Sequence, residues 1–121
     1  MHFTFTPGSD YLRAELFGRQ TAEETAQFAK ALADEARRRN ATRVLVWVRN
    51  SRPIFKVEQY KFSELLRQFG KHMRVALLAD SEEVRASHQY IEVLASQQGA
   101  QVRAFRDEAR ALDWLRLQSQ E

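Results

Sequence analysis

The apolar and polar residues of this chain fall into short alternating runs, longer helical stripes and two unbroken apolar blocks. Phe3 and Phe5 alternate with Thr4 and Thr6, and a period of two marks a strand with one buried face. Pro7-Gly8-Ser9-Asp10 gathers turn formers. Leu12, Ala14 and Leu16 then alternate with Arg13 and Glu15. Two alternating runs across a short turn predict an antiparallel hairpin. Thr21-Ala22-Glu23-Glu24 has the form of a capping box. In it the Thr21 hydroxyl accepts from the Glu24 amide, and Glu24 reaches back to the amide of Thr21. The helix it opens runs to about Arg39, with Thr25, Phe28, Ala29, Leu32 and Ala36 on one stripe. Arg37, Arg38 and Arg39 fill its last turn, where cations complement the helix dipole.

Val44 to Val48 and Val75 to Ala79 are apolar without alternation. That pattern predicts strands buried on both faces, as at the centre of a parallel sheet. Between them, the sequence from Arg49 to Val57 reads as a loop interrupted by Pro53. A helix is predicted from about Glu58 to Phe69, with Phe62, Leu65, Leu66 and Phe69 inward and Gly70 as its C-terminal cap. Asp80, with Glu83 three residues on, is the expected cap of a third helix, and Ser81 is a residue of its start. That helix carries Val84, His88, Ile91, Leu94 and Ala95 on one face and ends before Gly99. Gln101 to Phe105 forms a last strand, and Asp107 caps a final helix with Leu112 and Leu115 inward. Trp47 and Trp114 are expected in the core, although Trp114 lies about 100° around the helix from Leu115, at the stripe's margin. The order β-β-α-β-α-β-α-β-α predicts an α/β fold. It is a single domain over residues 1–121, with a mixed, mostly parallel sheet of about five strands and four helices.

Composition agrees with this picture. The chain has 121 residues, 44% of them hydrophobic and 29% charged, as a globular domain requires. It has no cysteine, which removes disulfides, thiolate metal sites and a cysteine nucleophile together. A reducing, cytoplasmic setting is expected. No apolar run approaches the ~20 residues of a membrane span, and the N-terminus lacks the form of a signal peptide.

The net charge of +3 is unevenly spread. Arg49, Arg52, Lys56, Lys61, Arg67, Lys71 and Arg74 face only Glu58 and Glu64 within residues 49–74. Such a stretch is either a solvated basic face or a surface for an anionic partner. Phe55 and Tyr60 lie beside Lys56 and Lys61. This interleaving also occurs in single-stranded nucleic-acid sites, but here it is too sparse for nucleic acid to be the expected partner.

Motifs for catalysis are missing. The four glycines form neither a Walker loop nor a dinucleotide fingerprint. His2, His72 and His88 make no metal-ligand pairing, and His88 falls on an apolar helix face. No serine sits in a nucleophile elbow. Asp80, Glu82 and Glu83 are accounted for by the favourable energy of negative charge at a helix start. No catalytic residue, metal or cofactor is therefore expected, and the chain is not read as an enzyme. Ser51 differs from the other serines because its loop leaves the C-terminal end of a buried strand, where open α/β sheets place ligands.

The chain resembles the SpoIIAA-like family, a STAS-like branch related in fold to anti-sigma-factor antagonists and CRAL-TRIO carriers. The resemblance rests on Arg74 to Asp80, on Gln101 to Phe105 with the helix Glu108 to Leu115, and on Leu16-Phe17-Gly18 followed by Thr21 to Glu24. It implies a non-enzymatic regulatory or protein-interaction module. The working surface is expected at Arg49, Arg52, Phe55, Lys56, Tyr60 and Lys61, and a homodimer is compatible with it. Kinship with CRAL-TRIO carriers implies an alternative, the carriage of a small apolar or anionic-lipid ligand. Anti-sigma antagonists open their second helix with an Asp-Ser-x-Gly phosphoacceptor segment. Here the corresponding loop is Arg49-Asn50-Ser51-Arg52-Pro53, so Ser51 stands as a candidate phosphoacceptor without the flanking Asp and Gly.

Overall fold

A computed structural model describes residues 1–53, 67 and 72–117 of the protein. The expected hairpin is present. Strand β1 (His2–Pro7) runs antiparallel to β2 (Leu12–Phe17), with Phe3 opposite Leu16 and Phe5 opposite Ala14. Strands β3 (Arg43–Arg49), β4 (Arg74–Ala79) and β5 (Gln101–Ala104) follow in parallel. The sheet order is β1-β2-β3-β4-β5, so the two unbroken apolar blocks are interior strands.

Helix α1 spans Ala22–Arg39, α2 spans Glu82–Gln97 and α3 spans Glu108–Arg116. The helix predicted over 58–69, its cap Gly70, and the residues Ile54, Phe55, Lys56, Tyr60 and Lys61 lie outside the described residues.

Alternate residues of the central strands serve two cores. Val44, Val46, Val48, Val75 and Leu77 face α1 and α2, meeting Phe28, Leu32, Val84, Ile91 and Leu94. Leu45, Ala76 and Leu78 face the other way, against Ala111 and Leu115 of α3. Covering both faces removes each strand's side chains from water, which is what a non-alternating strand needs. Helix α1 buries its whole predicted stripe.

The caps are set locally. The Thr21 hydroxyl accepts from the Glu24 amide at 3.1 Å, but the Glu24 carboxylate reaches one residue further than the box pattern, to the amide of Gln20 at 2.7 Å. Asp107 caps α3 by accepting from the Arg110 amide at 2.8 Å. At α2 the expectation is corrected: Ser81, not Asp80, is the cap, accepting from the Val84 amide at 3.2 Å. Asp80 instead accepts from the amide of Asn50 at 3.0 Å. A residue one position before the cap is too far from the helix's first free amides, and the β3 loop offers it a donor.

The second correction concerns α3. Ala111 and Leu115 are fully buried, whereas Leu112 and Trp114 are only half-buried. Trp114 lies 5.6 Å from the ring of Phe105, with the guanidinium groups of Arg74 and Arg103 over it at 5.9 and 5.8 Å. Arg74 also donates to the carbonyl of Trp114 at 3.1 Å, tying the C-terminal end of α3 to β4. Trp47 is likewise half-buried on this face.

His88 is 2% exposed, on the face of α2 that packs against the sheet. Burial, with further contributions from Arg19 and Arg85, pushes its pKa down to about 3, so the folded protein holds the imidazole neutral.

Two outcomes follow for stability. Leu115→Ala removes a side chain with no exposure and should cost about 3 kcal/mol, whereas Trp114→Ala should cost about 1–2 kcal/mol because part of its surface is already wet. Urea melts check this, and a larger loss for Trp114→Ala would contradict the packing. For His88 the folded pKa lies below the unfolded one. Its contribution is complete above about pH 6.5 and is lost as pH falls toward 3, because only the unfolded chain then takes up the proton. Unfolding free energy should therefore decline on acidification from pH 6.5 to 5, before most carboxylates titrate. In His88→Leu that slope should flatten, and an unchanged slope would contradict the neutral buried imidazole.

Candidate functional site

The sheet's parallel strands end together at one edge. There the loops after β2, β3 and β4 meet: Gly18 to Gln20, Asn50 to Pro53, and Asp80 to Ser81. Backbone contacts join them. The Gly18 amide donates to the Arg49 carbonyl at 3.1 Å, the Arg52 amide to the Arg19 carbonyl at 3.0 Å, and the Asp80 amide to the Val48 carbonyl at 3.3 Å. Gly18 has φ +70, a conformation glycine adopts without steric cost. Asn50 has φ 48, which asparagine tolerates better than most side chains.

Ser51 sits at the centre of this junction. Its hydroxyl donates to the Arg49 carbonyl at 2.9 Å and accepts from the Arg19 amide at 3.1 Å. One short side chain thereby fixes the β3 loop against the loop that leads into α1. Arg19 completes the lock. The residue is 4% exposed, and its guanidinium donates to the carbonyl of Arg52. Burying an arginine is costly unless its donors are met, so Arg19 holds the loop in one arrangement.

The sequence-predicted cations divide by position. Arg52 is exposed on the β3 loop. Arg49, at the end of β3, points to the α3 side of the sheet. Its guanidinium lies 4.5 Å from the Trp47 ring centroid, and its Nε lies 3.6 Å from a Glu15 carboxylate oxygen. Arg49 is thus half-exposed but oriented. Beside it, Arg13 pairs with Glu15 at 3.0 Å and with Glu108, and the Trp47 indole donates to Glu108 at 3.4 Å. The Arg13 hydrogen bond, opposed by partial burial and aided by Trp47, holds the Glu108 carboxyl below its ordinary range. Arg49, Ser51 and Arg52 are therefore brought to one edge, while Phe55, Lys56, Tyr60 and Lys61 lie outside the described residues.

Sequence reasoning missed Arg19. It also missed Glu15 and Trp47 as the partners that orient Arg49. No local pattern marks Arg19, whose partners Ser51 and Arg52 stand 32 and 33 residues away.

The polar groups of the junction are engaged with one another. His88 is neutral and enclosed, and the Ser51 hydroxyl faces backbone groups rather than a base. Among the described residues, no three His, Asp or Glu side chains converge as a metal site needs. No described helix is long and apolar enough to cross a membrane. Between the sheet, α1 and α2 lies a cavity of about 80 Å³, lined among the described residues by apolar side chains with Arg19, Thr25 and His88. Ligand pockets usually occupy roughly 300–1,000 Å³; this cavity is smaller, while a cleft of about 300 Å³ between the hairpin turn and the end of α1, lined by Gly8, Tyr11, Arg39 and Arg43, reaches the lower end of that range.

Comparison with known proteins places the fold. The structure matches the NMR structure of the protein TM1081 with a TM-score of 0.67 over 98% of this chain and 91% of that one, at 14% sequence identity. At that identity the likeness is one of fold. No curated protein matches the chain. The SpoIIAA-like family model matches residues 11–116, from the start of β2 to the end of α3. With a five-stranded mixed sheet, its parallel loops gathered at one edge and that match spanning nearly the whole chain, the protein belongs to the SpoIIAA-like family and is a STAS-like domain.

Proposed function

We propose that the protein is a non-enzymatic regulatory module that docks a protein partner on the C-terminal edge of its sheet. The observation that carries this reading is the Ser51 junction, which holds two loops together and presents Arg49 and Arg52 beside it. A surface ordered before binding loses less conformational freedom when the partner arrives. Arginine suits such a surface because its planar fork grips a carboxylate or phosphate through two parallel hydrogen bonds. Phe55, Lys56, Tyr60 and Lys61 continue the same proposed surface in sequence.

Ser51 is the proposed switch. A phosphoryl ester there removes the proton now donated to the Arg49 carbonyl. It also sets about two negative charges against the Arg49 carbonyl oxygen, 2.9 Å from the hydroxyl. Both changes favour opening of the junction.

The test is Arg49→Gln combined with Arg52→Glu. Glutamine avoids a second carboxylate beside Glu15, and Arg52 is exposed, so melting should stay within about 2 °C of the parent. The partner is first isolated by cross-linking in native extract, then titrated calorimetrically. Affinity should fall at least tenfold, about 1.4 kcal/mol. Unchanged affinity with unchanged melting would show the edge to be idle.

A further inference from the structure

The two lateral edges of the sheet are treated differently. β5 is short, four residues, and carries Arg103. Its outward Ala104 amide is taken by the Glu92 carboxylate at 2.7 Å. Short length, charge and an occupied amide are means by which edge strands avoid pairing with other chains. β1 has none of these. It is six residues long, pairs with β2 without a bulge, and reads His-Phe-Thr-Phe-Thr-Pro with no lysine, arginine or carboxylate.

The hairpin turn sets which β1 groups are free. The Gly8 amide donates to the Tyr11 carbonyl at 2.7 Å, and the register continues unbroken to His2 opposite Phe17. In an antiparallel ladder, hydrogen-bonded and non-hydrogen-bonded pairs alternate. His2, Thr4 and Thr6 therefore bond to β2. The amides of Phe3 and Phe5 and the carbonyls of Phe3, Phe5 and Pro7 point away from the sheet. Among the described residues no side chain reaches those amides.

We infer that β1 is a strand-pairing surface for a second copy of this chain, aligned antiparallel about a dyad at Thr4. At the dyad a residue meets its own copy, so a charge there would repel itself. No β1 side chain is a lysine, arginine or carboxylate, and the Met1 ammonium just before the strand is paired with Glu24 at 3.3 Å. With Thr4 opposite Thr4 of the second copy, Phe3 falls opposite Phe5 and His2 opposite Thr6. Phenylalanine then meets phenylalanine twice on one face, and on the other Thr4 meets Thr4 at the dyad, both favourable cross-strand pairs. The outward groups of Phe3 and Phe5 exchange four backbone hydrogen bonds, and two five-stranded sheets become one. The aromatic cluster at this edge gains a partner as well. Phe3 and Phe5 are only half-buried, with ring centroids 5.5 and 6.3 Å from that of Phe28. The surface is separate from the docking edge proposed above and does not depend on it.

The test uses the full chain, whose lack of cysteine makes any introduced thiol the sole one. Sedimentation across micromolar to millimolar concentrations should show the mass rising from one chain toward two. Thr4→Lys sets two cations at the dyad and should hold the chain monomeric. In the monomer that lysine faces Glu15 across the hairpin, so its melting should not suffer. Under mild oxidation Thr4→Cys should link two chains rapidly, because residues directly opposite at a non-hydrogen-bonded position approach within disulfide reach. Thr6→Cys, displaced from the dyad, should link at least tenfold more slowly. A monomer at every concentration, a dimer that survives Thr4→Lys, or Thr6→Cys linking as fast as Thr4→Cys would each overturn the inference.

Discussion

Burial of β3 and β4 on both faces is the constraint on which the rest of the structure depends. Val44, Leu45, Ala76 and Leu78 have no exposure at all. Two parallel strands with apolar residues at successive positions leave water only if both faces of the sheet are covered. Helices α1 and α2 meet this need on one face, and α3 meets it on the other. Parallel pairing has a second consequence. Each of β2, β3 and β4 ends at the same edge, so three loops converge there without any further instruction. The proposed docking edge is in this sense a by-product of the core.

Convergence alone would leave those loops loosely placed. Ser51 and Arg19 supply order by spanning loops that are distant in sequence. The arrangement trades a buried guanidinium for a fixed loop, a cost that simple packing would not require. Arg49 is treated in the same manner on the α3 side, where Trp47 supports its plane and Glu15 balances its charge. Electrostatic contacts here orient side chains more than they stabilise the fold, since half-exposed ion pairs contribute little net energy.

Much of the fold is legible in the sequence because the relevant signals are local. The blocks 44–48 and 75–79 declare interior strands by their lack of alternation, and Thr21 and Asp107 declare helix starts by their position before apolar stripes. Legibility declines where two local candidates compete or where the partner is remote. Asp80 and Ser81 are both competent caps, and the choice is decided by the Asn50 amide in another loop. Trp114 reads as core by size, yet α3 is only nine residues long and leaves the flank of Trp114 to arginines. Of the candidate site, Arg49, Ser51 and Arg52 were visible as a polar loop after a buried strand. Arg19 was not, because the Ser51 and Arg52 groups it bonds stand 32 and 33 residues away.

The central claim is that the C-terminal edge is ordered before any partner binds. Amide hydrogen exchange of the isolated protein measures this at the residues concerned. The Arg19 and Arg52 amides, which bond to Ser51 Oγ and to the Arg19 carbonyl, should be protected to within about tenfold of the β3 amides. Exchange of those two amides at the rate of the exposed turn at Ser9 and Asp10 would contradict the account.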